Sequence, residues 1–179
     1  PDAAAIGVDV AGERADTIIV LRVGDGTSKM MSVPRDLWVT NVATKRQGRI
    51  NGSFNQGRDN LARTVTASLG VELNHYVEVD FVSFAQMVDA MGGITIDFPH
   101  PVFDPNSGLR IDAAGPQVLD GQMALAYVRS RKYTEIIDGK EVRDPTADLG
   151  RQQRQQHFIR TVLEKAGSTR NPITLAKLA

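Results

Sequence analysis

Hydrophobic positions along the chain switch between a period of two and a period of three to four. Thr17-Ile18-Ile19-Val20-Leu21-Arg22-Val23 is a β-branched run with the composition of a central strand. Gly24-Asp25-Gly26 predicts a turn and Lys29 to Val33 the paired return strand, ended by Pro34, which has no N–H to offer a ladder. Trp38 to Val42 predicts another short strand, and Gly48 to Gly57, rich in Gly, Asn and Ser, a loop. Leu61, Val65 and Leu69 recur at helical spacing, with Asp59 or Asn60 as cap and Gly70 as stop. His75 to Phe81 alternates as a strand. Ser83 then caps a helix carrying Phe84, Met87, Val88 and Met91, stopped by Gly92-Gly93, and Ile94 to Phe98 alternates again.

The remainder is less regular. Pro99 to Gln117 has the Pro, Gly and Asn content of a long loop, a length that suggests function. Asp120 or Gly121 opens a helix through Met123, Leu125 and Val128 that ends near Arg131. Residues 132–147 are polar and predict a mobile lid. A long helix is expected from Leu149 to Ala166 and a last one from Pro172. Residues 1–15 hold no sustained period and read as a loop or extended segment. Strands and helices interleave throughout, which predicts an α/β or α+β fold: a mixed central sheet with helices on both faces, one domain spanning 1–179.

Composition narrows the chemistry. With 21 basic and 21 acidic residues the net charge is zero, which argues against general nucleic-acid binding, so any basic site must be local. The absence of cysteine removes disulfides and thiolate chemistry, and His75, His100 and His157 are too scattered for a zinc site. No apolar run approaches the roughly 20 residues of a membrane-spanning helix. Neither a P-loop, a dinucleotide fingerprint nor a Gly-x-Ser-x-Gly elbow is present.

Arginine spacing then supplies a candidate. Arg129 and Arg131 end one helical segment, and Arg151 and Arg154 sit three apart at the start of another, on the face that continues to Phe158, Ile159, Val162 and Leu163. Guanidinium groups on a core-facing stripe beside a helix N-terminus suit phosphate or carboxylate. The alternative is ordinary ion pairing with Asp144, Asp148 or Glu164. Asp16, at the mouth of the first strand, suits Mg²⁺ or a plain turn. In Pro34-Arg35-Asp36 adjacent strand residues would face opposite ways and cannot easily satisfy each other, which suits one charge serving a site or a plain surface turn. Gly48-Arg49-Ile50-Asn51-Gly52 joins a flexible backbone, a cation and an amide, a combination suited to anion or sugar recognition. Asp89, in an apolar helix, suggests a buried partner such as an arginine. The Phe84-Met87-Val88-Met91 and Val162-Leu163 stripes serve core packing, or line a lipid slot if they do not close on the sheet.

Taken in order, Arg14-Ala15-Asp16-Thr17, Ser32-Val33-Pro34-Arg35-Asp36, Arg49-Ile50-Asn51, Val79-Asp80-Phe81, Val88-Asp89-Ala90-Met91-Gly92-Gly93, Leu119 to Leu125, Tyr127-Val128-Arg129-Ser130-Arg131 and Asp148 to Gln156 resemble the LytR-CpsA-Psr family of cell-wall glycopolymer ligases. The resemblance implies a membrane-anchored, extracytoplasmic phosphotransferase whose anchor lies outside this chain. Such an enzyme moves a glycopolymer from a polyprenyl-pyrophosphate carrier to peptidoglycan through a phosphodiester. It implies that Arg35, Arg129, Arg131 and Arg151 hold the pyrophosphate, with Arg49, Asn51, Arg154 and Gln155 nearby. It also implies Mg²⁺ on Asp16, Asp36 or Asp89 as base or arginine-orienting group, and an apolar cavity between sheet and helices for the prenyl tail. One departure stands out: the family has an earlier strand ending in Asp-x-Arg, and nothing before residue 14 matches it. Gly7-Val8-Asp9 lies close and lacks the arginine, so truncation or loss of that strand is expected. The Ala- and Arg-rich composition leans towards arabinogalactan as the polymer. The competing reading is a domain that binds polyprenyl phosphates or hydrolyses the pyrophosphate without ligating.

Overall fold

The computed structural model describes residues 2–9, 15–24 and 27–168. The chain forms two compact units, Pro1–Phe81 and Val82–Ala179.

The elements of the first unit run β1 (Asp2–Asp9), β2 (Ala15–Gly24), β3 (Thr27–Val33), β4 (Trp38–Thr40), β5 (Gln47–Arg49), a 3-10 segment (Ile50–Gln56), α1 (Arg58–Leu69) and β6 (His75–Asp80). A four-stranded sheet has the order β3-β2-β1-β6. It is mixed, because β1 pairs antiparallel with β2 and parallel with β6. Ile18, Ile19, Val20 and Leu21 are all buried, as a β-branched run with neighbours on both edges requires. Against one face pack Ile50, Leu61 and Val65.

Three expectations change here. Asp2–Asp9, expected to be a loop or extended segment, form strand β1 between β2 and β6. Its run Ala3-Ala4-Ala5-Ile6-Gly7 carries no apolar alternation, and alanine favours helix, so only pairing on both edges makes it a strand. Residues 48–57 are no open loop: β5 pairs with β4, and the 3-10 segment buries Ile50, Asn51 and Ser53. The α1 cap is Gly57 in place of Asp59 or Asn60, whereas Gly70 stops the helix in the left-handed region (φ 67°) as expected.

The second unit contains α2 (Phe81–Ala90, its first residue borrowed from the first), β7 (Ile94–Phe98), β8 (Val102–Asp104), β9 (Leu109–Ile111), β10 (Gly115–Leu119), α3 (Gly121–Arg129), β11 (Thr134–Ile137), β12 (Lys140–Arg143) and α4 (Asp148–Ser168). The long loop expected over Pro99 to Gln117 is therefore mostly strand: β10 returns on β7, and β8 pairs with β9 and β11. The lid expected over 132–147 is a hairpin instead. Its turn is Asp138-Gly139, both at positive φ (51° and 74°), the backbone that a two-residue hairpin demands. On α4, Phe158 is buried, while Ile159, Val162 and Leu163 are only partly so, a narrower stripe than the spacing suggested. The helix expected from Pro172 lies outside the described residues.

Where α3 begins, Gly121 runs against the α2 backbone. A Cβ there would collide with the Ala85 carbonyl, with the carbonyl carbon and Cα both at 2.7 Å. Backbone cannot swing aside as a side chain can. Gly121→Ala is therefore expected to destabilise the chain by about 1–3 kcal/mol, the usual cost of overpacking, measured by urea denaturation. A neutral result would mean that the two helices can part at no cost.

Candidate anion-binding site

In the first unit, the strand ladder stops at Pro34 and the chain turns, the Leu37 N–H donating to the Pro34 carbonyl (2.9 Å). Arg35 and Asp36 lie in that turn, which frees them from strand alternation, and they pair with each other (3.6 Å). Asp36 also takes Arg49 Nη1 at 3.2 Å. Backbone bonds fix the arrangement: Ile50 N–H donates to the Leu37 carbonyl and Asn51 N–H to the Arg35 carbonyl. Arg35, Asp36, Arg49 and Asn51 are thus brought together, Asn51 buried and the three charged groups at least partly open to water.

The second unit repeats the motif with better support. Arg131 Nε (3.2 Å) and Arg151 Nη2 (2.8 Å) both hold Asp148 Oδ1, at the first residue of α4. Two guanidinium groups and a helix N-terminus converge there on one anionic oxygen. Ala147, just before the helix, takes a left-handed φ of 46°, a strained backbone for a residue with a Cβ. Arg151 is buried, as its place on the core-facing stripe predicted, while the Arg131 side chain is about half exposed.

What holds Arg131 was invisible from spacing. Asp104, fully buried at the end of β8, accepts from Ser130 Oγ (2.7 Å), Arg131 N–H (2.9 Å), Lys132 N–H (2.8 Å) and Asn106 N–H (2.9 Å). Burial raises its pKa, but the Ser130 hydroxyl and the three amides outweigh that and hold the carboxyl below its usual range. One carboxylate so pins the backbone that carries Arg131. The local hint was Asp104-Pro105-Asn106-Ser107-Gly108, a run of turn residues inside an apolar stretch.

Arg154 is buried beside this segment and committed within the protein. Its Nη1 reaches Asp144 Oδ2 (2.9 Å), its Nη2 the Ser130 carbonyl (2.8 Å), and its guanidinium carbon lies 4.5 Å from the centre of the Tyr133 ring. Asp144, which Thr146 Oγ1 also bonds, is pushed up by burial and pulled down further by Thr146 and Arg154, ending below the usual value. Burial lifts the Tyr127 phenol to about 12 despite the pull of Arg154, so it stays neutral and meets His157 Nδ1 at 3.2 Å. Gln155 Nε2 donates to the Val128 carbonyl (3.2 Å). The acids named as ordinary partners, Asp144 and Asp148, do pair with Arg154 and Arg151; both arginines and Asp144 are largely buried, while Asp148 is exposed.

Other candidates stand apart. Asp89 is exposed and gives its Oδ1 to the Gly121 N–H (2.7 Å), a backbone partner where an arginine was expected. Arg129, by contrast, is exposed at the end of α3, two residues before Arg131. The Asp16 side chain lies outside the described residues. Among the described residues no group of three His, Asp or Glu could hold a metal ion. In the backbone register Asp9 pairs with Ala15 and with Asp80.

The fold is α/β, and each of its two units holds a pair of arginines around a shared carboxylate. The chain belongs to the LytR_cpsA_psr family, whose model matches residues 4–179. It is 36% identical over 166 residues to the probable cell wall biosynthesis protein LcpB of Corynebacterium glutamicum, covering 90% of this chain and 36% of that protein. It is 30% identical over 178 residues to the polyisoprenyl-teichoic acid–peptidoglycan teichoic acid transferase TagV of Bacillus subtilis, 93% of this chain and 42% of the relative. The chain therefore spans less than half the length of either. Among solved structures, a LytR-Csp2A-Psr enzyme from Actinomyces oris superposes with a TM-score of 0.80 at 31% identity, over 99% of this chain and 66% of that one. Bacillus subtilis TagV gives 0.78 at 26%, over 98% and 68%.

Proposed function

We propose that this chain is the catalytic part of a phosphotransferase that moves a glycopolymer from a polyprenyl-pyrophosphate carrier to peptidoglycan. The observation that carries the reading is the Asp148 oxygen held by both Arg131 and Arg151, an oxyanion clamp at a helix N-terminus. The names of LcpB and TagV, a cell wall biosynthesis protein and a teichoic acid transferase, support the same class. An acceptor hydroxyl attacks the phosphorus that bears the glycan. The new P–O bond makes the phosphodiester, the bond to the bridging oxygen breaks, polyprenyl monophosphate leaves, and the hydroxyl proton is released. Charge builds on the bridging and leaving oxygens, and Arg131 and Arg151 are the groups to receive it. Arg35 and Arg49 take phosphate oxygens in the first unit, with Asp36 and Asn51 orienting them. Arg129 adds long-range attraction. Arg154 holds the Ser130 carbonyl and Gln155 that of Val128, and Asp89 orients the start of α3.

Mg²⁺ would sit on Asp16 and when bound would neutralise phosphate charge. An apolar slot would take the prenyl tail, each buried CH₂ worth roughly 0.8 kcal/mol. The extracytoplasmic face of the membrane is the proposed location, through an anchor outside this chain, and arabinogalactan the polymer that composition favours. Among the described residues no helix is long and apolar enough to cross a membrane.

The test is turnover of a polyprenyl-pyrophosphate saccharide by the full chain with peptidoglycan fragments present. A phosphodiester product with release of polyprenyl monophosphate is expected. Donor binding without turnover would reduce the chain to a carrier-binding domain, and release without acceptor to a hydrolase. Arg35→Ala is expected to weaken donor binding about tenfold or more, since a charge-assisted hydrogen bond contributes about 1.5–3 kcal/mol.

A further inference from the structure

The first unit holds a cavity of about 380 Å³ beside the β4–β5 hairpin and the 3-10 segment. Small-ligand sites run from roughly 300 to 1,000 Å³. Its walls include Asn41, Arg46, Gln47, Arg49, Asn55 and Gln56, two cations and several amides with no carboxylate among them. An amide both donates and accepts, the pairing that a sugar hydroxyl or acetamide needs. The walls are braced in advance. Asn41 Nδ2 donates to Gln56 Oε1 (2.7 Å), Asn41 Oδ1 accepts the Ala43 and Thr44 N–H groups (2.9 and 3.1 Å), and Asn60 Nδ2 reaches the Ser53 carbonyl (2.7 Å). Little ordering remains for a ligand to impose.

A second observation comes from the hairpin itself. Trp38, the chain's single tryptophan, is 64% exposed, an unusual position for so large an apolar ring. It is the register partner of Arg49, so both stand on the outer face of the hairpin, and its Nε1 donates to Gln47 Oε1 (3.3 Å). The indole is thus held in water at the edge of a polar cavity whose wall includes its own hydrogen-bond partner. A broad apolar ring with a fixed orientation is a platform for the C–H face of a pyranose. Stabilising the fold does not call for it there.

We propose that the cavity and Trp38 form a saccharide subsite for an N-acetylated glycan bearing carboxylates. The acetamide and hydroxyls meet the amides, a carboxylate meets Arg46 or Arg49, and one ring stacks on Trp38. Peptidoglycan strands, with acetamido sugars and acidic peptide stems, have this chemistry, so the subsite takes the acceptor of the proposed reaction. Arg49, which also pairs with Asp36 beside Arg35, joins the subsite to the phosphate-binding turn of the same unit. The acceptor role rests on the phosphotransferase reading; binding of the glycan does not.

The experiment titrates the full chain with a soluble glycan-strand tetrasaccharide carrying peptide stems, following the fluorescence of Trp38 and, in parallel, heat. A saturable change is expected, with the uncharged tetrasaccharide of N-acetylglucosamine binding about tenfold more weakly, the loss of one good ionic contact. Arg46→Ala and Asn55→Ala should each weaken the calorimetric affinity by a similar factor, and Trp38→Ala should raise the acceptor KM more than it lowers kcat. No saturable change, or affinities indifferent to Arg46 and Asn55, would overturn the subsite. Because Arg49 serves both sites, some competition by a water-soluble glycosyl diphosphate is expected, and competition that persists in Arg49→Ala would overturn the acceptor assignment. Glycan binding without any donor turnover would leave the subsite standing and bring down the phosphotransferase.

Discussion

Arg131→Ala is expected to lower glycan transfer by about 100- to 1,000-fold, the usual loss when one group aimed at developing charge is removed. The expected cause is catalytic and not structural. Its side chain is 46% exposed and its contact with Asp148 is a surface ion pair, a class of interaction worth about 0–1 kcal/mol to folding. The melting transition should therefore hardly move while kcat falls. Arg131→Lys should recover only part of the rate, because an ammonium keeps the charge and loses the planar fork. Donor binding should persist through Arg151, which is buried against the same carboxylate. Transfer within tenfold of the parent would remove Arg131 from the reacting centre.

Asp104→Ala should cost about 3–5 kcal/mol of stability and with it most activity. The substitution strands a buried hydroxyl and three partly buried N–H groups, and each unsatisfied buried donor costs about 1–3 kcal/mol before relaxation. The pH dependence separates this from a simple cavity. The folded carboxyl titrates below the ordinary 3.8, so its stabilisation is present above that value and is lost as pH falls through the lower folded one. The gap in urea midpoint between parent and variant should thus be widest at neutral pH and shrink below about pH 4. A gap that stays constant down to pH 2 would mean that the charge of Asp104 is not what holds the Ser130–Lys132 segment. Some activity should return in Asp104→Asn, which keeps the acceptor facing Asn106 but sets an NH₂ or a single carbonyl against three donors.

Elements governed by local rules could be read directly. The β2–β3 hairpin, β7 and the Gly70 stop depend on residues within a few positions of each other. The same is true of the Asp120 cap, whose Oδ1 takes the Met123 N–H at 2.8 Å. The shared face of Arg151 and Arg154 followed from spacing alone, and both are buried. The β11–β12 hairpin was equally local, through Asp138-Gly139, but the surrounding polarity read as a lid.

Other features had no local sign. The alanines of β1 become a strand only because β2 and β6 offer their free edges. Asp89 was matched with an arginine by composition, yet the orphan N–H at the start of α3 was the nearer donor. Residue order by itself determined the β2–β3 hairpin, the main helices and the family, since period, capping and motif spacing are short-range properties. Which carboxylate each arginine faces, and which aspartate anchors the Arg131 backbone, only the tertiary structure decided. Asp104 and Ser130 are distant along the chain, and burial of a charge is tolerated only where folding delivers donors from both sides at once.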